Sequence, residues 1–223
     1  MDLFSTFFNI PVLVASLPQL LNGLLVTIGI GVTSILAGLI GGLFLAVLRL
    51  YAGPVTNTLV RGYIDVFRSI PLLVLLIIVY YALPFVGIRL SPFFSAVTAL
   101  TLVSAAYTAE IFRAGIEAIP KGQFEASAAL GLSNRYTMTD VILPQAIRIV
   151  IPPLTNNCIN VLKDTALASV VAMPDLLKQA TQAQALSANP TPLIGAAVIY
   201  LILLLPMVRF VARLEKRFSR GRS

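Results

Sequence analysis

Long apolar runs constrain this chain more than any other feature of it. Several windows exceed the roughly 20 predominantly apolar residues that a helix needs to cross a bilayer. Hydrophobic residues make up 58% of the chain and charged ones 11%, against about 25% charged in a soluble domain. The sequence therefore predicts an all-α, polytopic membrane protein with about five transmembrane helices. They are expected near Leu20–Leu50, Thr58–Leu83, Phe93–Ala114, Ala146–Met173 and Pro192–Arg213. The 223 residues divide into an external or interfacial segment (1–19), a membrane domain (20–213) and a basic tail (214–223). Pro11 and Pro18 break the apolar pattern before Leu20, so that segment is expected to lie at the interface. No basic region precedes an apolar core and the first charge is Asp2, so no cleaved signal peptide is expected. The single cysteine, Cys158, leaves no intrachain disulfide.

The basic residues orient the chain. With the N-terminus outside, 13 of the 16 Lys and Arg residues fall on the inner side. Arg49, Arg61 and Arg68 mark the first inner loop; Arg113, Lys121, Arg135 and Arg148 mark the second. Arg209, Arg213, Lys216, Arg217, Arg220 and Arg222 mark a cytoplasmic C-terminus. Only Arg89 and Lys178 lie outside, and Lys163 falls within a helix. The opposite orientation reverses the positive-inside rule. The net charge of +7 thus follows topology rather than a nucleic-acid surface.

The inner loop 115–145 is polar between apolar neighbours. Pro120 is suited to opening a helix, and Glu125 is expected near its N-terminus, where negative charge is favoured. Ala126, Ala129 and Leu130 stand at i, i+3 and i+4, a narrow apolar stripe. Gly131 supplies a stop. Such a helix either docks into another protein or lies on the headgroups.

The residues here resemble a known family. Glu125-Ala126-Ser127, then Gly131, then Val141-Ile142-Leu143-Pro144 resembles the signature of permease subunits of ATP-binding-cassette importers, Glu-Ala-Ala…Gly…Ile-x-Leu-Pro. Ser127 replaces an alanine and Val141 an isoleucine. Phe67-Arg68-Ser69-Ile70-Pro71-Leu72-Leu73, Tyr107–Ile116, Pro120-Lys121-Gly122-Gln123 and Lys163-Asp164-Thr165-Ala166-Leu167 resemble segments of its polar amino-acid uptake subfamily, in order along nearly the whole chain. The resemblance implies a type I importer-like permease fold in a bacterial inner membrane. It also implies a second permease chain, identical or paralogous, and two cytoplasmic ATPase subunits holding ATP and magnesium. A periplasmic or lipid-anchored binding protein would deliver the amino acid. The family's coupling loop maps onto Gln123, Glu125, Ala126, Ser127, Gly131, Leu143 and Pro144. The chain has no G-x-x-x-x-G-K-[ST] loop and no histidine, so neither ATP phosphates nor a histidine zinc site is expected on it, and no cofactor.

Asn156, Asn160, Lys163 and Asp164 stand at i, i+4, i+7 and i+8, one helical face, with Asn157 beside it. Charge in a membrane helix usually faces protein or water. This stripe is expected to line a path on which Lys163 and Asp164 complement the two charges of an amino acid, or to form an interhelical salt bridge. Glu110 is either a ligand residue or a local partner of Arg113 at i+3. Gly38 and Gly42 form a small-xxx-small pair expected to bring helices close. Pro152 and Pro153 are expected to bend or kink the fourth helix, and Pro174–Pro192 to be a solvent-facing connection that meets the binding protein. The alternatives are a secondary transporter or channel driven by an ion gradient, which needs midplane carboxylates, and an intramembrane enzyme.

Overall fold

A computed structural model describes residues 6–219. The first helix, α1 (Ile10–Tyr51), starts at Asn9, whose side chain accepts a hydrogen bond from the Val12 amide. Its 42 residues span about 63 Å at 1.5 Å per residue, twice a hydrocarbon core of about 30 Å. Residues 10–19 thus continue the helix of the predicted first span without a break. Pro11 occupies the first turn, where no amide is needed, and Pro18 lies on the exposed face. The helix starts are tied together by the Asn9 amide donating to Thr191 Oγ1 at 3.0 Å. Residues 1–5 of the predicted N-terminal segment lie outside the described residues.

The predicted second helix is two. Helix α2 (Pro54–Ser69) meets α3 (Leu72–Ile77), which continues through a π turn (Ile78–Ala82) and a 3-10 turn (Leu83–Val86). The two parts bend by 102°. Pro71 explains the bend: it holds Ile70 in extended backbone (ψ 131°).

Helix α4 (Pro92–Glu117) is the central post, capped by Ser91 Oγ, which accepts from the Phe94 amide at 3.3 Å. Small residues on α1 bring it close at Gly38 and Gly42, part of a buried small-residue face that also holds Gly31, Ser34 and Ala46. A Cβ on Gly38 would lie 2.5 Å from Ser104 Oγ; one on Gly42 would overlap Thr108 and lie 2.8 Å from the Ala105 carbonyl oxygen. The small-xxx-small pair is a packing device.

The loop helix α5 (Lys121–Ala129) leads through a short turn (Asn134–Tyr136) and a π turn (Thr137–Ile142) into α6 (Leu143–Asp164). Helix α6 runs through Pro152 and Pro153 and changes to a 3-10 turn (Thr165–Val171), which ends at Ala172 in the left-handed region (φ 60°). The predicted single helix to Met173 thus stops at Asp164. Helices α4 and α6 cross tightly at Gly115, where a Cβ would overlap Val150.

The stretch Pro174–Pro192 is more than a solvent-facing connection: one face is buried, while Thr181, Gln182, Ala185 and Leu186 remain exposed. It holds α7 (Leu176–Ser187), capped by the Asp175 carboxylate, which accepts from the Leu177 and Lys178 amides. The Leu176 amide donates to Thr27 Oγ1 on α1 at 3.0 Å. Asp175, Leu176 and Ala180 are fully buried, and Leu20, Leu176, Ala180 and Ala196 form one apolar cluster. The alanines supplied the packing face that the Gln and Asn content obscured.

Helix α8 (Thr191–Ser219) closes the bundle and absorbs the described part of the predicted tail; Arg220 and Arg222 lie outside the described residues. Three helices, α1, α4 and α8, are long and apolar enough to cross a membrane, and the bent pair makes a fourth candidate. Helix α6, at 22 residues about 33 Å, has the length but carries the polar stripe. The main core joins α1, α3, α4 and α6 around Ile30, Leu76, Ala96, Leu100 and Val161.

Candidate functional site

A cavity of about 280 Å³ lies between α3, α4 and α6. Its apolar wall is Leu72, Leu100 and Val103; its polar wall is Ser104 and Tyr107 on α4 and Asn157, Asn160 and Asp164 on α6. The four α6 positions 157, 160, 161 and 164 follow i, i+3, i+4 and i+7, one face of the helix. Asn157 Nδ2 donates to Ser104 Oγ and Thr108 Oγ1, both at 3.3 Å, which fixes that face toward α4. No ion pair within 4.0 Å reaches Asp164 among the described residues.

The structure therefore brings Asn160 and Asp164 together on the cavity and leaves Asn156 and Lys163 off it, both exposed. Two faces of α6 share Asn160 and Asp164, one with Asn156 and Lys163 and one with Asn157 and Val161. Packing against Ser104 and Thr108 selects the second. The signal available in the sequence was that pair, two hydroxyls four residues apart on α4.

Glu110 is one turn beyond Tyr107 on α4 and points into arginines. Arg49 Nη1, at the end of α1, donates to Glu110 Oε2 at 2.8 Å. Arg113 Nε donates to the same oxygen at 3.0 Å, and Arg113 Nη2 to Glu110 Oε1. Arg68 Nη1, at the end of α2, lies 4.0 Å from Glu110 Oε1. Its guanidinium also covers the Tyr107 ring at 5.3 Å from the centroid. The expected Arg113 pair is present, and two arginines from distant helix ends join it.

The polar loop 115–145 folds around α5. Pro120 caps α5, so Glu125 sits in the second turn rather than at the start. Gly131 takes φ 72°, with its amide bonded to the Ala128 carbonyl and the Leu132 amide to the Ser127 carbonyl. That is a Schellman stop, which glycine adopts without strain. Ser127 is buried and its Oγ donates to the Gln123 carbonyl at 2.7 Å. Gln145 on α6 donates to Gln123 Oε1 at 3.3 Å and to the Val141 carbonyl at 2.7 Å. Ile119, Ile142 and Ala146 are buried in a cluster with Phe124 and Met138 packed on it, so α5 is fastened to the start of α6. Leu143 and Pro144 open α6. Glu125, Ala126 and Ala129 face away from the rest of the chain, and Leu130 is 79% exposed. The helix therefore presents a small-residue surface ending in an exposed leucine, with its other side bolted to α6.

No group of three or more His, Cys, Asp or Glu residues that could hold a metal occurs among the described residues.

Residues 38–220 match the family described as binding-protein-dependent transport system inner membrane component. The arginine transport system permease protein ArtQ of Bacillus subtilis (strain 168) is 39% identical over 206 residues, covering 92% of this chain and 94% of that protein. A solved amino acid ABC transporter with histidines superposes with a TM-score of 0.87 at 35% identity, over 92% of this chain and 96% of that one. An inward-facing structure of the MetNI methionine ABC transporter shares the fold, with a TM-score of 0.68 at 23% identity, over 94% of this chain and 98% of that one.

Proposed function

The chain belongs to the binding-protein-dependent transport system inner membrane components, and from that membership we propose that the cavity beside Asp164 is its translocation path and that the path carries an amino acid. It is a membrane permease subunit of an ATP-binding-cassette importer. Family membership replaces both the ion-gradient transporter and the intramembrane enzyme as readings.

One observation carries the proposal: the start of α6 is fastened to the coupling loop through Ile142, Gln145 and Ala146, and the same helix lines the cavity at Asn157, Asn160 and Asp164. A partner that moves the loop thus moves a wall of the cavity. Two cytoplasmic ATPase subunits, binding ATP and magnesium, seat the exposed face of Glu125–Gly131; hydrolysis takes place there and not on this chain. A second permease chain completes the membrane core. A binding protein delivers cargo on the opposite side, which the positive-inside rule makes the side of the N-terminus. The cavity is chemically suited to a zwitterion. Asp164 offers an acceptor for an ammonium or guanidinium group, Asn160 both donors and acceptors, and Leu72, Leu100 and Val103 an apolar wall.

The test uses the complete importer reconstituted in vesicles with its binding protein, assayed across an amino-acid panel. Asp164→Asn is expected to raise the transport KM at least tenfold, since a hydrogen bond to a charged group contributes about 1.5–3 kcal/mol. Lys163→Gln, off the cavity, is expected to change it less than twofold. Equal KM values for the parent and Asp164→Asn would overturn the path assignment.

A further inference from the structure

We infer that Glu110, Arg49, Arg68 and Arg113 form a charge clamp that closes the coupling-loop end of the cavity and must open for cargo to leave. The inference rests on the reading of the cavity as the path. Tyr107 lines the cavity, and Glu110 stands one helical turn nearer the coupling loop, on the same face of α4. A single carboxylate there joins two helix ends to the body of α4. Arg49 closes α1, Arg68 is in the last turn of α2, and Glu110 and Arg113 are on α4. Arg49 and Glu110 are only 16% and 22% exposed, so losing one partner leaves charge poorly solvated.

The arrangement is unbalanced in a way that suits an opening device. Three guanidiniums surround Glu110, and the only other carboxylate in the network among the described residues, Glu117, pairs with Arg113 and is 62% exposed. Arg68 is the loosest member: its pair is 4.0 Å long and its side chain 40% exposed. It also covers Tyr107, and four residues on, across the bend at Pro71, Leu72 forms part of the cavity wall. Displacing Arg68 from Glu110 therefore uncovers Tyr107 and releases the α2 end that leads into that wall. The two tight bonds, from Arg49 and Arg113, hold α1 and α4 as the fixed side.

The complete importer tests this with Cys158→Ser as background and Val103→Cys as a reporter on the cavity wall. In inside-out vesicles, a membrane-impermeant methanethiosulfonate reagent measures access from the cytoplasmic side. Glu110→Gln is expected to speed labelling about fivefold or more and to raise the ATP consumed per amino acid imported about threefold. Glu110→Asp, which keeps the charge, is expected to restore most of both. Arg49→Gln breaks the 2.8 Å bond alone and serves if Glu110→Gln does not assemble; it is expected to give an intermediate effect. Unchanged labelling and an unchanged ATP ratio in an assembled variant, even with a lowered melting temperature, would overturn the clamp. Failure of the path reading shows elsewhere, in an Asp164→Asn importer with parental KM.

Discussion

Gly131→Val is expected to separate the permease from its ATPase: copurification of ATPase subunits and ATP-driven uptake both fall about tenfold, while the permease itself still folds. The reason is conformational. Gly131 holds φ 72° in the Schellman stop of α5, and an L-residue in that region costs roughly 1–2 kcal/mol, more when β-branched. Each 1.4 kcal/mol is a factor of ten in the population of the native turn. Nothing in the chain lies within 4 Å of a Cβ at this position, so the bundle is spared. Gly131→Asn separates shape from contact, because asparagine tolerates the left-handed region. It is expected to retain most ATPase binding. If it fails as completely as valine, contact rather than turn geometry governs the interface.

Gly42→Leu should have the largest effect on the permease itself, with little assembled protein recovered from the membrane. A Cβ alone overlaps Thr108 and sits 2.8 Å from a carbonyl oxygen of α4, so neither a rotamer change nor a flexible neighbour relieves it. Overpacking in a fixed core costs about 1–3 kcal/mol. In lipid, close packing is itself a main force holding helices together. Gly29→Leu is the matched control, since nothing lies within 4 Å of a Cβ there. Fluorescence-detected size-exclusion chromatography of the two variants reads the difference. Equal recovery would remove the α1–α4 seam as a source of stability.

Some of this was legible in the residues. The small face of α1 was readable from Gly38 and Gly42, and the stop of α5 from Gly131, because each depends on local geometry. The bend at Pro71 was signalled by the restriction on the residue before proline and by a change of composition there, from α2 with Arg61, Asp65 and Arg68 to the wholly apolar α3. Asn157 was missed in favour of Asn156 because helical spacing admits both faces; only contact with Ser104 and Thr108 distinguishes them. The burial of α7 was masked by its glutamines: Gln179 and Gln184 flank the buried Leu176, Ala180 and Ala183, and Gln182 is exposed. Arg49 is 61 positions from Glu110, and no local pattern links residues so far apart.

The tight crossing of α4 and α6 at Gly115 and Val150 also sets a mechanical ratio. From Val150, the coupling end of α6 at Leu143 is seven residues away and Asp164 is fourteen, arms of about 10 Å and 21 Å at 1.5 Å per residue. A helix rocking on that fulcrum reverses the direction of a push at its short arm and roughly doubles its amplitude at the long one. Spin labels placed beside Leu143 and Asp164 would show this as opposite displacements in a ratio near two when ATP binds. The importer would then exchange force for travel: a short, strong stroke at the ATPase becomes a longer, weaker one where the cargo rests.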